Sequence, residues 1–416
     1  MGIFKPADIL LPKDAPMEKW AVIACDQFTS NADYWERVKA NAEGSPSTIN
    51  LVLPEAMLGT SEEEAHTALI NKTMAEYVAN DVFQTYENSF IYVERTLENG
   101  TIRKGLVGMV DLEEYDFNVG SVANIRATEK TVLERIPPRV RVRKDAPIEL
   151  PHIIMLCDDH DGVLLDPIEE KKEHLKKVYE CDLMEGGGHI VGYLVEGKDV
   201  ESFNATFEEY SAEVPGKYAG LDGTPMILAT GDGNHSLATA KTCYEELKAA
   251  NPGVDLSNHP ARYALVELEN IHDESQVFEP IHRIVVGLDP HVVLEACKAS
   301  IGVTGPDEGF EVKAIIKGVV ETIYLDKKKG ELAVGVLQKW LDSYLPAHGG
   351  EIDYIHDDDA LLALAEEDNS IGFLLPAMEK SQLFRGVIAD GALPRKTFSM
   401  GHSREKRYYI EGRKIK

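Results

Sequence analysis

Thr224-Pro225-Met226-Ile227-Leu228-Ala229-Thr230-Gly231-Asp232-Gly233-Asn234-His235-Ser236 begins as an apolar run and ends in a polar turn broken by two glycines. Residues 225–230 are apolar enough to form a buried strand. From 236 to 250, Leu237, Ala240, Tyr244 and Leu247 recur at helical spacing, and Asn251-Pro252-Gly253 ends the run. A buried strand that passes straight into a helix is the unit of an α/β layer. The expected class is therefore mixed α/β, with layered mixed sheets covered by helices.

The same periodicities organise the rest of the chain. Strands are expected at 20–25, 152–157, 189–195, 262–268 and 281–286, with the last two side by side. Helices are expected at 31–40, 61–80 and 200–213, and Ser61 with Glu64 has the form of a capping box. Phe90-Ile91-Tyr92-Val93 and Leu106-Val107-Gly108-Met109-Val110 flank Glu98-Asn99-Gly100, which predicts a hairpin. Residues 127–135 suit a helix that Pro137-Pro138 must end. Arg139-Val140-Arg141-Val142-Arg143 alternates with period two, which predicts a strand with three arginines on one face, an island of positive charge that suits a solvated edge strand and an anion-facing surface equally. The last third alternates helix 291–300, strands 319–325 and 331–336, helix 338–344, strand 352–355, helix 358–366 and strand 371–375. Three regions follow: an N-terminal α/β region with the hairpin (1–145), a central region with the strand-turn-helix (146–288) and a C-terminal α/β subdomain (289–416).

The charge balance narrows the function classes. With 71 acidic against 43 basic side chains the chain carries a formal charge of −28, which repels phosphodiester backbones and anionic lipid. Nucleic acid and membrane are thus not expected partners. The start, Gly2-Ile3-Phe4-Lys5-Pro6, lacks the apolar core of a signal peptide, and no apolar run approaches the ~20 residues of a membrane span. A cytoplasmic location is the expectation. Cys25, Cys157, Cys181, Cys243 and Cys297 contain no Cys-x-x-Cys pair, so they read as reduced, mostly structural thiols. Monomer and homodimer are equally compatible with this composition.

The 231–236 turn is the expected functional site. Gly231 and Gly233 permit tight backbone geometry, and the helix start offers unpaired N–H groups with roughly half a positive charge. A phosphate or carboxylate is a natural occupant of such a terminus. His235 can donate to that anion or move a proton, while Asn234 and Ser236 add neutral hydrogen bonds. Asp232 would repel a bare phosphate and fits better as a ligand to Mg²⁺ arriving with a nucleotide, or as a base. On spacing alone, a glycine turn that merely caps a helix explains the residues equally well.

Asp232-Gly233-Asn234-His235-Ser236, after an apolar strand and before Ala238-Thr239-Ala240, resembles the Asp-Gly-His-His-Arg signature of a bacterial and archaeal family, domain of unknown function 1015. Three shorter pieces follow in the family's order. Ile125-Arg126-Ala127-Thr128-Glu129-Lys130-Thr131 is similar to its His-Glu-x-Thr segment, with Thr128 in the place of the His. Pro280-Ile281-His282-Arg283 resembles Pro-Thr-His-Arg, and Leu393-Pro394-Arg395-Lys396-Thr397 resembles Met-Pro-x-Lys-Ser. The signature in turn resembles the phosphate-binding turn of the ParB and sulfiredoxin superfamily, which includes free-serine kinases.

That resemblance implies a ParB/sulfiredoxin-like substructure around the turn. It also implies an enzyme that binds ATP or ADP with Mg²⁺, or a phosphorylated metabolite, and transfers phosphate to a small hydroxyl compound such as serine. Asp232, His235 and Glu129 are the implied catalytic residues. Gly231, Gly233, Asn234, Ser236, Arg126, Arg283 and Lys396 are the implied ligand-binding residues, with Asp232 as the metal ligand. Ser236 stands where the signature has its arginine, so either another basic group supplies the charge or the chain is a non-catalytic, metabolite-binding member. Lys241, Arg126, Arg283 and Lys396 are the candidates to replace it. Asp158-Asp159-His160-Asp161-Gly162 and His356-Asp357-Asp358-Asp359 read as a turn and a helix cap rather than metal sites. Cys25 beside Asp26 reads as structural, at a strand end where open sheets hold ligands.

Overall fold

Leu228–Asp232 is a strand and Asn234–Ala250 a helix in the computed structural model, which describes residues 2–28, 31–401 and 403–416. The strand belongs to an 11-stranded mixed sheet. It runs antiparallel to Ile154–Cys157, with Ala229 opposite Leu156, and parallel to Ile125–Ala127, with Ala229 opposite Arg126. The long hairpin Phe83–Thr96 and Ile102–Asp111 lies further along the same sheet, closed at Gly100. Its alternation serves two cores. Phe90, Tyr92 and Leu106 face one, where the Lys198–Lys217 helix brings Phe203 within 4.9 Å of Phe90; Ile91, Val93 and Val107 face the other, with Trp20, Val22 and Val38. Helices cover both faces, so successive residues of a strand are buried on opposite sides.

A six-stranded antiparallel sheet is built from residues 282–374. Pro290–Ile301 and Ala333–His348 pack on one face, while Leu361 of Asp358–Leu364 packs against Ile284 and Ile315 on the other. His282–Val286 lies here, between Ser370–Leu374 and Glu351–Ile355, rather than beside Tyr263–Asn270 as expected. Both strands are short and apolar, and neither carries a local cue for its partner.

Other expectations fail for identifiable reasons. Residues 331–336 are not a strand, because Ala333–His348 is one helix burying Val334, Leu337, Leu341 and Leu345 at helical spacing. Packing outweighs the β preference of its valines. The helix at 61–80 starts at Glu63, and the Glu63 carboxylate accepts from the Gly59 N–H at 2.6 Å, so the Ser61–Glu64 capping box does not form. Residues 20–25 hold only a two-residue strand, Val22–Ile23, after the short helix Met17–Trp20. Ala127 ends a strand, residues 128–132 are loop leading to the 3₁₀ turn Leu133–Arg135, and Ile136–Asp145 is an α-helix, not the arginine strand. Pro137-Pro138 begins this helix instead of ending one. In the first turn the N–H that proline lacks has no intrahelical acceptor.

The C-terminal segment threads back through the body. Tyr408–Tyr409 pairs with Val22–Ile23, and Arg413–Lys414 with Ile148–Glu149. Buried charges fasten it: Arg407 meets Glu267 at 2.5 Å and Glu411 at 2.7 Å, and Arg413 meets Glu149 at 2.9 Å. Arg95 donates to the carbonyls of Gly187, Arg404, Glu405 and Lys406. Removing one partner of such a buried pair costs about 3–5 kcal/mol. No helix among the described residues is long and apolar enough to cross a membrane.

Candidate functional site

The two glycines of the turn are needed for different reasons. Gly233 takes φ +77° as the residue before the helix, a left-handed conformation that side chains resist. Gly231 is still strand, and a Cβ there would lie 2.8 Å from the Leu156 side chain. With Gly233 as cap and no side chain capping it, the first N–H groups of Asn234–Ala250 are left to other partners. The Asn234 Oδ1 is buried without a hydrogen bond.

This turn opens on a cleft of about 560 Å³. Gly231, Asp232, Gly233, Asn234, His235 and Ser236 all line it, together with Glu129 and Lys396. The opposite wall is the helix Ile136–Asp145, which packs against the turn helix. Its arginines align at helical, not strand, spacing. Arg139 and Arg143 line the cleft with Arg135 just before the helix, whereas Arg141 turns away to Glu63. The C-terminal segment adds Lys406 and Tyr409, and the end of the Val22–Ile23 strand adds Cys25 and Asp26. His152, His356 and Arg395 line it as well, and Glu55 and Glu149 add acidic groups.

The charges are arranged in pairs with different freedom. Burial works against the Asp232 charge, but Lys406, His152 and the Gly233 N–H outweigh it and hold the carboxyl below its usual range. Its Oδ1 accepts from Gly233 N at 2.8 Å and its Oδ2 lies 3.2 Å from the Lys406 Nζ. Burial, reinforced by Arg139 and Arg135, pushes His235 down to about 4, so it is neutral at pH 7. Its Nε2 accepts from the Val132 N–H at 3.4 Å, which assigns the ring proton to Nδ1. Burial raises Glu129 above the usual carboxylate range, against the opposing backbone N–H groups of Lys396 and Thr397. Lys396 itself sits at φ +56°, a strained conformation for a side-chain-bearing residue.

A polar hydrogen-bonded chain runs behind Asp232. The Tyr409 hydroxyl lies 3.1 Å from His152 Nδ1 and donates to Cys25 Sγ at 3.0 Å, and His152 Nε2 is 3.8 Å from Asp26 Oδ2. Burial, with the Asp26 charge, pushes the Cys25 thiol up to about 12, which keeps it protonated at neutral pH.

Comparison with known proteins fixes the family. The model described as "Protein of unknown function (DUF1015)" matches residues 5–383. The chain belongs to this family. No curated protein matches it. Among solved structures it is similar to a C-terminally truncated SbnI from Staphylococcus aureus, with 11% identity over 71% of this chain and 83% of that one and a TM-score of 0.35. A conserved hypothetical protein from Pyrococcus furiosus shares 12% identity over 73% and 93%, with a TM-score of 0.35. A free serine kinase in complex with AMP shares 11% identity over 74% and 91%, with a TM-score of 0.37.

The DUF1015 match ends at 383, so Lys396, Lys406 and Tyr409 reach the cleft from beyond the matched segment. Of the residues read from the sequence, Asp232, His235, Asn234, Ser236, Gly231, Gly233, Glu129 and Lys396 come together. Arg126 and Arg283 do not line the cleft. Arg126 donates to the carbonyls of Ala123, Thr224 and Pro225; Arg283 is fully buried and donates to Gln338 Oε1, Ile281 O and Arg395 O. Lys241 is likewise engaged, by the Leu112 carbonyl and Glu245. Glu129 enters from a loop and not from the expected helix. Thr128, in the place of the family's His, donates to the Thr230 carbonyl at 2.8 Å and ties the Glu129 loop to the motif strand.

Several lining residues escaped the sequence reading. Arg135 carried a signal, its four-residue spacing from Arg139, that the period-two alternation obscured; Arg139 falls within the expected positive island, but on a helix and not on a strand. His152, Lys406 and Tyr409 carried none. The Asp158–Asp161 run is a turn, with Asp159 accepting from Val163 and Leu164 N–H, and Asp357 caps a helix. Metal binding fares poorly at Asp232, since an N–H and an ammonium already engage both its oxygens. No group of three or more His, Cys, Asp or Glu among the described residues makes a metal site. The residues present do not fit a protein-held Mg²⁺.

Proposed function

We propose that this cleft binds the phosphate of a nucleotide, ATP or ADP, or of a phosphorylated metabolite, and transfers it to a small hydroxyl compound. One observation carries the reading: in a chain of charge −28, a helix N-terminus, Glu129, Asp232, His235 and the cations Arg135, Arg139, Lys396 and Lys406 line a single cleft. A mere remnant of a site would leave these groups scattered. The turn would then act as a phosphate-binding turn of the kind seen in the ParB and sulfiredoxin superfamily, which the signature resembles. Arg139 and Arg135 supply, from the neighbouring helix, the charge that Ser236 does not.

The chemistry follows from the placement. The first N–H groups of the turn helix, Asn234 and the two arginines hold the phosphate, and neutral His235 offers its Nδ1–H. Glu129, raised toward the working pH, accepts the proton of the acceptor hydroxyl as its oxygen bonds phosphorus. The bond from phosphorus to the donor oxygen breaks, and its electron pair leaves with the donor. Lys396 and Lys406 neutralise the charge that develops, and Asp232 positions Lys406.

The test is a thermal-shift panel of ATP, ADP, GTP and inorganic phosphate on wild type and His235→Ala. A ligand bound by the native state raises its melting temperature. A nucleotide or phosphate shift that is lost in His235→Ala supports the reading. No shift from any of the four contradicts it and favours a member without this ligand.

A further inference from the structure

The cleft is two-sided, and the arginine helix shows the axis of the change. Along its cleft face Arg139 is followed by Val142, by Arg143, whose charge is paired with Glu149, and then by Ala146 at its end. At 1.5 Å per residue the wall passes from guanidinium to methyl over roughly 10 Å. Val52, Leu53, Met74 and Leu150 join Val142 and Ala146 as lining, and all six belong to or pack against the second hydrophobic core. Glu149, the acid on this wall, is buried and paired: Oε1 accepts from Leu265 N and Arg413, each at 2.9 Å, and Oε2, which has no hydrogen bond, lies in an ion pair 2.5 Å from Arg143. That oxygen is closed off from solvent and is not presented to the polar edge of a nucleobase.

We infer that the hydroxyl compound phosphorylated here is amphipathic, with its hydroxyl end at Arg139 and the turn and an aliphatic body lying against Val142, Ala146 and Leu53. The inference rests on the phosphate-transfer reading and adds the substrate class to it. A polar acceptor such as a free sugar would leave its hydroxyls unpaired against an aliphatic wall, which disfavours it. An alcohol with a hydrocarbon body buries that wall on binding. Its phosphorylated product is an alkyl phosphate, and alkyl phosphates are therefore the probes.

The experiment is calorimetric titration of the full-length protein with inorganic phosphate and with ethyl, butyl and hexyl phosphate. Burial of each methylene in the apolar half gives roughly a three- to fourfold rise in affinity along the series. In Val142→Asn the rise flattens while inorganic phosphate binds as in wild type. Ala146→Leu, which narrows the chamber without adding polarity, cuts the series off at a shorter chain and covers the case in which Val142→Asn does not fold. Inorganic phosphate binding with a flat alkyl series in wild type overturns this inference and leaves the phosphate site standing. Failure of phosphate and of every alkyl phosphate to bind overturns both.

Discussion

Arg135 and Arg139 face the cleft from the Ile136–Asp145 helix and its lead-in, whereas Arg126 and Arg283 sit on strands and face the main chain. Of these four arginines only the first two line the cleft. Arg139 donates to Glu55 at 2.8 Å and to the Arg135 carbonyl at 2.9 Å, and both it and Glu55 line the cleft. Arg283 has its guanidinium occupied by Gln338 and two carbonyls, and burial lowers it to about 10. A cation serves a ligand only if its donors are not already committed to the fold.

That contrast can be broken first at Arg283. Arg283→Ala should cost about 3–5 kcal/mol in urea denaturation, because the charged hydrogen bonds are lost and carbonyls are stranded. A loss under about 1 kcal/mol would show that Arg283 is not a structural pin. Glu129→Gln comes next. It should lower phosphotransfer by about 100-fold or more with little change in stability, which steady-state rates and melting curves read side by side. Equal losses in both would make Glu129 a packing residue.

Arg139→Ala should be the mirror image of Arg283→Ala. Its half-buried ion pair with Glu55 should be worth about 1 kcal/mol of stability, well below the cost at Arg283, yet phosphate affinity should fall about tenfold, as read by calorimetry. His235 sharpens the contrast through pH. Its neutral form is favoured in the fold, so its contribution is fully present above the ordinary histidine value of about 6.5. That contribution is lost as pH falls from there through about 4. Melting temperatures of His235→Gln should thus fall less steeply than wild type between neutral pH and pH 4. Parallel curves would mean that His235 titrates normally. The smallest effect is expected at Lys396, where Lys396→Gly relieves the positive φ and stabilises by up to about 1 kcal/mol while weakening phosphate binding.

The sequence discloses the motif strand, the turn, its helix and the mixed α/β class because each rests on local periodicity or on glycine. It also brings Glu129 and Lys396 to attention through resemblance, and the cleft contains both. The arginine helix was hidden because Arg139 to Arg143 satisfies period two over five residues, too few to reveal Arg135, Arg139, Val142, Arg143 and Ala146 as one helical face. Lys406 and Tyr409 were hidden more deeply. Tyr409 bonds Cys25 across 384 residues of chain, a pairing decided by strand addition and buried ion pairs that no local pattern encodes. The placement of His282–Val286 in the second sheet is of the same kind.

The most direct test of the cleft as a phosphate site is calorimetric titration of pyrophosphate into wild type and the double variant Arg135→Gln/Arg139→Gln, with urea denaturation of both. Saturable binding by wild type, weakened about 100-fold in the double variant at unchanged stability, is the predicted result. No binding by wild type, or equal binding by the two proteins, would contradict the assignment of the anion to the space between the turn and the arginine helix.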